Sequence, residues 1–310
     1  MIITVTLNPA VDQTMFISQL KLDEVNRVRE VHLDPAGKGI NVSRMAHRLG
    51  WPTIAFGFLG GEIGLLAEHA LDQEGVMYHF VQVPGQTRLN VTVIDDSTGS
   101  ATNFYGRGPM VEQAHLEKMD EVLQFWMQSG RVLVLAGSLP RSVPDDTYCK
   151  YIEFAHNSGL KTVLDADGEP LRKGLEAKPT LIKPNLAEAE RLLGRSLPDL
   201  KSVADGAREL VDRGIEIVVI SMGSEGAVCA TDEKTWHVIP PLVKQRSTVG
   251  SGDSLVAGLA VALAGGYSLL EGLREGTAAG AATAMRAGTS PGTKEEVTAL
   301  VPQVMIKELH

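Results

Sequence analysis

The chain has 310 residues, 44% of them apolar and 22% charged, which is an ordinary balance for a globular protein with a sizeable core. A net charge of −9 argues against general affinity for nucleic acid or an anionic membrane, so a phosphorylated ligand would need a local cluster of cations. The two cysteines, Cys149 and Cys229, are too few for a disulfide framework or a CxxC metal site.

The predicted elements begin with a buried strand at residues 2–7, which leads into a loop at Asn8-Pro9-Ala10-Val11-Asp12. Asp12 follows the carboxyl end of this strand, where open α/β sheets bind their ligands, although an Asx-turn role fits equally well. The strand is not preceded by the basic and apolar regions of a signal peptide, and no apolar run reaches membrane-spanning length. We therefore expect a cytoplasmic protein.

Two stretches of the chain show apolar–polar alternation instead of the strand–helix alternation found elsewhere. Residues 25–33 largely alternate apolar with polar side chains, and residues 89–105 hold two strand-like runs around a turn at 95–99. Alternation indicates half-buried strands, and the turn predicts a hairpin. We expect lid strands inserted at about 13–34 and 87–107, which pair to form a small accessory β-sheet.

A glycine-rich loop with a lysine inside it, Ala36-Gly37-Lys38-Gly39-Ile40-Asn41, opens the first predicted helix. The spacing is not that of a Walker A motif, and glycine loops before helices are frequent, so the pattern alone is a weak signal. Glycine lets the backbone approach a ligand closely, and Asn41 offers a donor and acceptors to hydroxyl groups. The loop therefore fits a polyol.

From residue 53 onward, predicted strands and helices alternate. The predicted strands lie at residues 53–58, 77–83, 131–136, 162–166, 180–183 and 215–221. Repeated strand–loop–helix units predict an α/β protein with a doubly wound, mostly parallel sheet, whose ligands lie in the loops at the carboxyl ends of the strands. Because the sequence has no repeat and no low-complexity linker, we interpret residues 1–310 as a single domain.

The last motif is Ser247-Thr248-Val249-Gly250-Ser251-Gly252-Asp253-Ser254, followed by an Ala/Leu-rich run that predicts a buried helix. The glycines would lie on its first turn, where free N–H groups and the helix dipole favour a negatively charged ligand. Asp253 could there take a proton from a sugar hydroxyl. Taken alone, the motif favours the more common role of an aspartate before a helix, the N-cap.

Taken together and in order, these motifs resemble the ribokinase-like (PfkB) sugar kinases, and most closely their sugar-phosphate branch. That branch contains 1-phosphofructokinase, tagatose-6-phosphate kinase and a 6-phosphofructokinase. The motifs are Asn8-Pro9-Ala10-Val11-Asp12, Val25-Asn26-Arg27-Val28, Gly37-Lys38-Gly39-Ile40-Asn41, Thr87-Arg88-x-Asn90, Gly137-Ser138-Leu139-Pro140, Lys183-Pro184-Asn185-x-x-Glu188 and Gly250-Ser251-Gly252-Asp253-Ser254.

The resemblance implies a role for each matching residue. Asp253 would be the general base, beside an anion hole for the transferred phosphoryl group at Gly250, Ser251 and Gly252. The substrate would be held by Asp12, Arg27, Gly37, Lys38, Gly39, Asn41, Arg88, Asn90 and Ser138, with Arg88 on its existing phosphate. The nucleotide would contact Asn185, Ser221, Gly223 and Gly226.

The same resemblance implies ATP and Mg²⁺ as cofactors, and a monovalent cation such as K⁺. Glu188 would organise Mg²⁺, and Ser247 and Val249 would lie at the monovalent cation. A lone glutamate suits Mg²⁺, which is commonly held by one or two carboxylates together with phosphates and water. Without the resemblance, a solvated glutamate in the first turn of a helix would be the preferred interpretation of Glu188.

The resemblance predicts an ATP-dependent kinase for a ketohexose phosphate, and fructose 1-phosphate is placed first because the motif set looks most like that group. Tagatose-6-phosphate kinase and 6-phosphofructokinase remain open. The cations Arg27, Lys38 and Arg88 count against an unphosphorylated sugar. A non-catalytic sugar-phosphate sensor is a distant alternative, disfavoured because Asp253 and Glu188 are both retained.

The accessory strands also allow a prediction of how the protein assembles. A small sheet with an open apolar face seldom stays alone in water. We expect the accessory sheet to cover the sugar site as a lid and to form a homodimer through its outer face.

Overall fold

The computed structural model describes residues 1–309. The strands are β1 (Ile2–Thr6), β2 (Ala10–Ile17), β3 (Val28–Ala36), β4 (Thr53–Leu59), β5 (Met77–Gln82), β6 (Arg88–Asp95), β7 (Ser100–Tyr105), β8 (Val132–Ala136), β9 (Lys161–Asp165), β10 (Leu181–Ile182), β11 (Ile217–Ser221), β12 (Ala227–Ala230), β13 (Thr235–Ile239) and β14 (Met305–Leu309). The helices are α1 (Lys38–Arg48), α2 (Gly61–Glu74), α3 (Gln113–Met127), α4 (Thr147–Asn157), α5 (Gly168–Gly174), α6 (Leu186–Leu193), α7 (Leu200–Asp212), α8 (Ser251–Gly265), α9 (Leu269–Ala284) and α10 (Lys294–Leu300).

The main sheet has ten strands in the order β14-β13-β12-β11-β10-β9-β8-β1-β4-β5. Its strands from β5 to β11 pair in parallel, which confirms the predicted doubly wound, mostly parallel architecture. The strands β12, β13 and β14 extend it as an antiparallel edge. This edge was not predicted from the sequence, because its strands are short.

Side chains alternate across the sheet between two apolar layers. In β1, Ile3 and Val5 face a layer formed with α3, α4 and α7, whereas Ile2 faces a layer formed with α1, α8, α9 and α10. Successive side chains of a strand point to opposite faces of the sheet, which divides them between the two layers. Because helices cover both faces, the strands are apolar throughout.

Helix α8 is the most enclosed helix of the second layer. It packs backbone to backbone against α9, since a Cβ placed on Gly258 would come within 2.3 Å of the Cα of Gly276. Burial on all sides explains why the run after Asp253 is apolar on every face. The start of α8 is thereby fixed below the edge where the parallel strands end.

A second sheet, which we call the lid, has four strands in the order β3-β2-β6-β7. The strands β2 and β3 are antiparallel, and so are β6 and β7, while β2 and β6 join the two hairpins in parallel. This confirms the predicted accessory sheet and the pairing of its two excursions. The lid begins at Ala10, with three residues between it and the end of β1, so its base lies at the carboxyl edge of the main sheet. Ala10, Val11 and Asp12 are therefore strand residues, and their prediction as a loop was wrong because the strand starts earlier than the apolar–polar alternation indicated. In residues 1–309, no helix is long and apolar enough to cross a membrane.

Candidate active site

A cavity of about 700 Å³ lies between the carboxyl ends of the central strands, the base of the lid and the start of α8. Most of the residues selected from the sequence meet here, although their motifs are far apart along the chain. Those that line it are Asp12, Gly37, Lys38, Asn41, Arg88, Asn90, Ser138, Glu188, Val249, Gly250 and Asp253. Parallel strands bring their terminal loops to one edge, which is why residues from distant motifs converge.

Asp253 is buried in the first turn of α8, and it is not the N-cap. The N-cap position belongs to Gly250, whose φ of 81° is the left-handed conformation that favours glycine. The side chain of Asp253 makes no capping hydrogen bond. Instead its Oδ2 accepts a hydrogen bond from Nδ2 of Asn41 at 2.8 Å. The N-cap interpretation of Asp253 is therefore wrong.

Burial is the main reason why the pKa of Asp253 is raised to about 6, and the nearby charge of Asp165 adds to the effect. The hydrogen bond from Asn41 and the charges of Lys38 and Lys183 oppose the rise. A carboxylate with such a pKa is ionised at neutral pH and is basic enough to accept a proton.

The first turn of α8 also carries Ser251 and Gly252, whose amides lie at the positive end of the helix. The N–H of Ser251 donates to the carbonyl of Thr248 at 3.3 Å, a long hydrogen bond that occupies this amide. Gly252 lies beside Lys183, since a Cβ placed on Gly252 would come 3.4 Å from the ammonium nitrogen. The ammonium of Lys183 therefore lies beside the positive end of α8, while Ser251 and Gly252 themselves do not line the cavity.

Two lysines share one buried carboxylate beside the cavity, and of these residues Lys38 lines it. Nζ of Lys38 lies 2.8 Å from Oδ1 of Asp165, and Nζ of Lys183 lies 3.2 Å from Oδ2. Although burial alone would raise the pKa of Asp165, the two ammonium groups hold it below its usual value. Asp165 thus orients both cations.

No role was predicted from the sequence for Asp165 or Lys183. Both are almost fully buried. The available signal was position, since Asp165 ends β9 at the edge where the ligand cavity lies. Asn8, Tyr105 and Arg141 also line the cavity and were not selected.

Glu188 and Asn185 form a reciprocal pair at the start of α6. Oε2 of Glu188 accepts the N–H of Asn185 at 2.8 Å, and Oδ1 of Asn185 accepts the N–H of Glu188 at 2.9 Å. Glu188 is buried, so the interpretation as a solvated first-turn glutamate is wrong. Its other oxygen, Oε1, lies at the cavity and 3.5 Å from Nζ of Lys38.

On the lid side, Asp12 and Asn90 lie opposite each other on β2 and β6. Nδ2 of Asn90 donates to Oδ1 of Asp12 at 2.9 Å, and burial raises the pKa of Asp12 despite this bond. Arg88 donates to the carbonyls of Asn8 at 2.7 Å and Pro9 at 3.3 Å, which holds its guanidinium at the base of the lid. These bonds fix the polar groups that face the cavity from above.

The two glycines on either side of Lys38 are required by contacts that could not be seen in the sequence. A Cβ on Gly37 would come 2.5 Å from Cγ2 of Thr6, and a Cβ on Gly39 would come 2.6 Å from Oγ1 of the same threonine. The φ of Gly37 is also +130°. Close packing of the loop on the end of β1 therefore requires these glycines, whatever the ligand.

Several selected residues lie outside the main cavity. Arg27 is exposed between β2 and β3 and does not line it. Ser221 ends β11 and forms a backbone bridge with Asn185, so these two residues, both predicted for the nucleotide, lie together at the start of α6. Gly223 and Gly226 follow in a tight turn, and a Cβ on Gly226 would collide with the carbonyl of Val238.

Ser247 and Val249 line a second, smaller cavity of about 60 Å³ between the lid and the loop before α8. Thr289 lines it too, and its buried Oγ1 has no hydrogen-bond partner among the described residues. Arg246 also borders this space.

The model of the pfkB family carbohydrate kinases matches residues 5–296. The chain is 37% identical to the 1-phosphofructokinase of Bacillus subtilis (strain 168) over the whole of both chains. It is 35% identical to that of Vibrio cholerae serotype O1, covering 100% of this chain and 97% of the relative.

Among solved structures, phosphofructokinase-2 from Escherichia coli in complex with substrates and products superimposes with a TM-score of 0.93. The two chains are 32% identical, and the alignment covers 97% of this chain and 98% of the other. A structure of the same protein in complex with potassium aligns with a TM-score of 0.91 at 32% identity and the same coverage.

Proposed function

Because the chain belongs to the pfkB family of carbohydrate kinases, we propose that it transfers the γ-phosphoryl group of ATP to the 6-hydroxyl of fructose 1-phosphate, forming fructose 1,6-bisphosphate. The observation that carries the proposal is the buried Asp253 in the first turn of α8, facing the same cavity as Asp12 and Arg88. Full-length similarity to two 1-phosphofructokinases favours this sugar phosphate.

In the proposed reaction, Asp253 accepts the proton of the acceptor hydroxyl while the hydroxyl oxygen attacks the γ-phosphorus. Asn41 fixes the carboxylate through its 2.8 Å hydrogen bond, which leaves one oxygen of Asp253 to face the substrate. The amides around Gly252 and the ammonium of Lys183 stabilise the charge that develops on the transferred group.

On the sugar side, Asp12 and Asn90 bind hydroxyl groups, and Arg88 binds the existing phosphate. Arg88 lines the cavity from the base of the lid, whereas Asp253 lines it from α8. The substrate would therefore span the cavity with its phosphate at one end and the reacting hydroxyl at the other.

The residues present also fit Mg²⁺. Oε2 of Glu188 is occupied by the amide of Asn185, but Oε1 faces the cavity beside Lys38. One carboxylate oxygen suits an ion that keeps most of its water and binds mainly to nucleotide phosphates. Bound there, Mg²⁺ would neutralise phosphate charge, while Lys38 adds a fixed positive charge on the same side.

Further proposals concern a monovalent cation, the nucleotide and the location of the protein. The unpartnered hydroxyl of Thr289 beside Ser247 and Val249 fits a weakly held monovalent cation, and one related structure contains potassium. Asn185, Ser221, Gly223 and Gly226 are proposed for the nucleotide because they adjoin α6 next to the cavity. A cytoplasmic location and a single domain stay predictions.

The pH dependence of turnover tests the role of Asn41. Turnover is expected to fall as the pH drops through about 6, because protonated Asp253 cannot act as a base. Asn41→Ala removes a hydrogen bond that lowers the pKa of Asp253, so the acidic limb should move to higher pH. The measurement is kcat/KM for the sugar phosphate against pH at saturating ATP, because this ratio reports the pKa values of the protein without the sugar. An acidic limb that stays in place in the variant would contradict this role.

We further propose a homodimer through the outer face of the lid. Val31, Leu33 and Phe104 are about half exposed there, at 48%, 55% and 59% of their surface, and the strand register places them on one face with Val91 and Val93. Arg27 lies in the exposed connection between β2 and β3 and does not line the cavity of its own chain. To bind substrate, Arg27 would have to reach the site of a second copy.

Replacing both Val31 and Leu33 by glutamate is expected to give a monomer, because charge on an apolar contact must be desolvated for the faces to meet. Light scattering at micromolar concentration measures the mass. The matched control replaces both Leu65 and Leu66 by glutamate, which adds the same two charges to leucines of α2 that are 61% and 47% exposed and lie outside the lid. A monomeric wild-type protein, or a double variant that stays dimeric, would overturn the dimer.

The substrate itself is tested by ADP release over a panel of sugar phosphates. The highest kcat/KM is expected with fructose 1-phosphate, and free fructose should be a poor substrate because nothing would engage Arg88. A higher kcat/KM with tagatose 6-phosphate or fructose 6-phosphate would assign the chain to those alternatives. No activity with any sugar phosphate would favour a sensor.

A further inference from the structure

Arg44 is a buried cation that neither the sequence analysis nor the proposed mechanism used. It lies on α1, three residues after Asn41, and only 1% of its surface is exposed. A fully buried guanidinium is costly unless all its N–H groups are paired, so its partners indicate what it holds.

Arg44 forms a two-point ion pair with Glu74 at the end of α2. Nε lies 2.9 Å from Oε2 of Glu74, and Nη2 lies 2.5 Å from Oε1. Although burial opposes it, this pairing holds the pKa of Glu74 below its usual value. The pair neutralises the buried charge.

The other side of Arg44 reaches two separate segments. Nη1 donates to the carbonyl of Pro35, at the end of lid strand β3, and to the carbonyl of Thr289, both at 3.2 Å. Nη2 lies 3.5 Å from Oδ1 of Asp34, and Oδ2 of Asp34 accepts the N–H of Thr289 at 3.4 Å. Thr289 belongs to residues 286–291, which we call the back loop. Because Arg44 and Asp34 both bond to Thr289, they join the back loop to the lid.

Each of the joined segments supports one half of the proposed site. Asp34 is the direct cross-strand partner of Asp12, so the end of β3 sets the position of the proposed sugar ligand. The back loop lies behind the anion hole, since a Cβ placed on Gly250 would come 3.8 Å from the carbonyl of Thr289.

We propose that Arg44 is a positioning residue that keeps the lid strand and the back loop in register, and so sets Asp12 relative to the anion hole at Gly250. This inference rests on the proposed kinase activity. Arg44 does not line the cavity, so its action would be indirect. Lysine at this position would keep the charge but lose the planar fork that reaches Pro35, Thr289 and Glu74 together.

Arg44→Lys is expected to lower kcat roughly 10-fold to 100-fold, because a displacement of about 1 Å between reacting groups has effects of that size. The matched control is Glu74→Gln, which removes the charged partner on α2 but leaves Arg44 its bonds to Pro35 and Thr289. It should lower the midpoint of thermal unfolding while kcat of the folded protein stays near wild type. Hydrogen exchange should accelerate at residues 28–36 and 286–291 in Arg44→Lys alone.

Wild-type kcat in folded Arg44→Lys would overturn the inference, and so would equal losses of kcat in both variants. If Arg44→Lys does not accumulate as a folded protein, Asp34→Ala decides the question, since it removes the bonds of Asp34 to Arg44 and Thr289, which are the second link between the lid and the back loop, and should lower kcat by a smaller factor. Unchanged kcat in Asp34→Ala would then overturn it. Failure of the proposed function is distinguishable, because the wild-type protein itself would then phosphorylate no sugar phosphate.

Discussion

Replacing Asp253 by asparagine is expected to abolish turnover while both substrates still bind. Loss of a general base typically costs about 10² to 10⁴ in rate. Asparagine keeps the size of the side chain and one oxygen for Asn41, so the geometry of the first turn should survive. Steady-state kinetics give kcat, and calorimetric titration with each substrate separates binding from turnover.

The same variant should be more stable than the wild type at pH 8. Asp253 has a folded-state pKa raised from 3.8 to about 6, so the folded state holds this proton more tightly than the unfolded chain. Stability therefore falls as the pH rises between these values and stays lower above them. Asparagine removes that penalty. Higher stability together with lost activity is the expected result for a buried catalytic carboxylate whose charge destabilises the folded state.

A matched control is available in the same cavity. Asp167 is the N-cap of α5, where its carboxylate accepts the N–H of Gly168 at 2.7 Å. Asparagine caps helices about as well as aspartate, so Asp167→Asn should keep most of its activity. Near-wild-type kcat in Asp253→Asn would remove Asp253 from the mechanism.

Replacing Arg88 by alanine should raise KM for the sugar phosphate by about 10-fold to 100-fold. A hydrogen bond to a charged group contributes roughly 1.5–3 kcal/mol, and 1.4 kcal/mol corresponds to about a tenfold change. KM for ATP should change little, because Arg88 lies at the base of the lid rather than beside α6. The measurement is a pair of saturation curves, each at a fixed excess of the other substrate.

Arg29→Ala serves as the control for Arg88. Arg29 is also a lid arginine, but it pairs with Asp96 on the surface and does not line the cavity. Its loss should leave both KM values near wild type. If Arg88→Ala shows the wild-type KM for every sugar phosphate tried, the phosphate is bound elsewhere, and Arg141 at the same cavity becomes the next candidate.

Much of the fold follows from local patterns. The alternation at residues 25–33 and around the turn at 95–99 was sufficient to predict the lid, because period two is a direct consequence of strand geometry. The edge formed by β12, β13 and β14 was not predicted, since β14 pairs with a strand some 70 residues earlier and short strands carry little periodic signal.

Site residues could be predicted from the sequence where they belong to a motif. They could not be predicted where their role depends on contacts with residues that are distant in sequence. Asp253 and Glu188 stand in recognisable motifs, and both lie at the cavity. Asp165 and Arg44 gain their roles from partners far away in sequence, Lys38 and Thr289 respectively, and no local pattern records such pairings. For the glycines beside Lys38 the residue type was noticed, but the contact with Thr6 that requires it was not.

The most direct test of the account is ³¹P NMR of the wild-type protein with ATP, Mg²⁺ and fructose 1-phosphate. We expect the γ-phosphate resonance to be replaced by equal amounts of ADP and a new phosphate on the 6-carbon of fructose, with the 1-phosphate resonance retained. Asp253→Asn should leave the spectrum unchanged over the same period. Release of inorganic phosphate without a new sugar ester, or the same product from Asp253→Asn, would contradict the account.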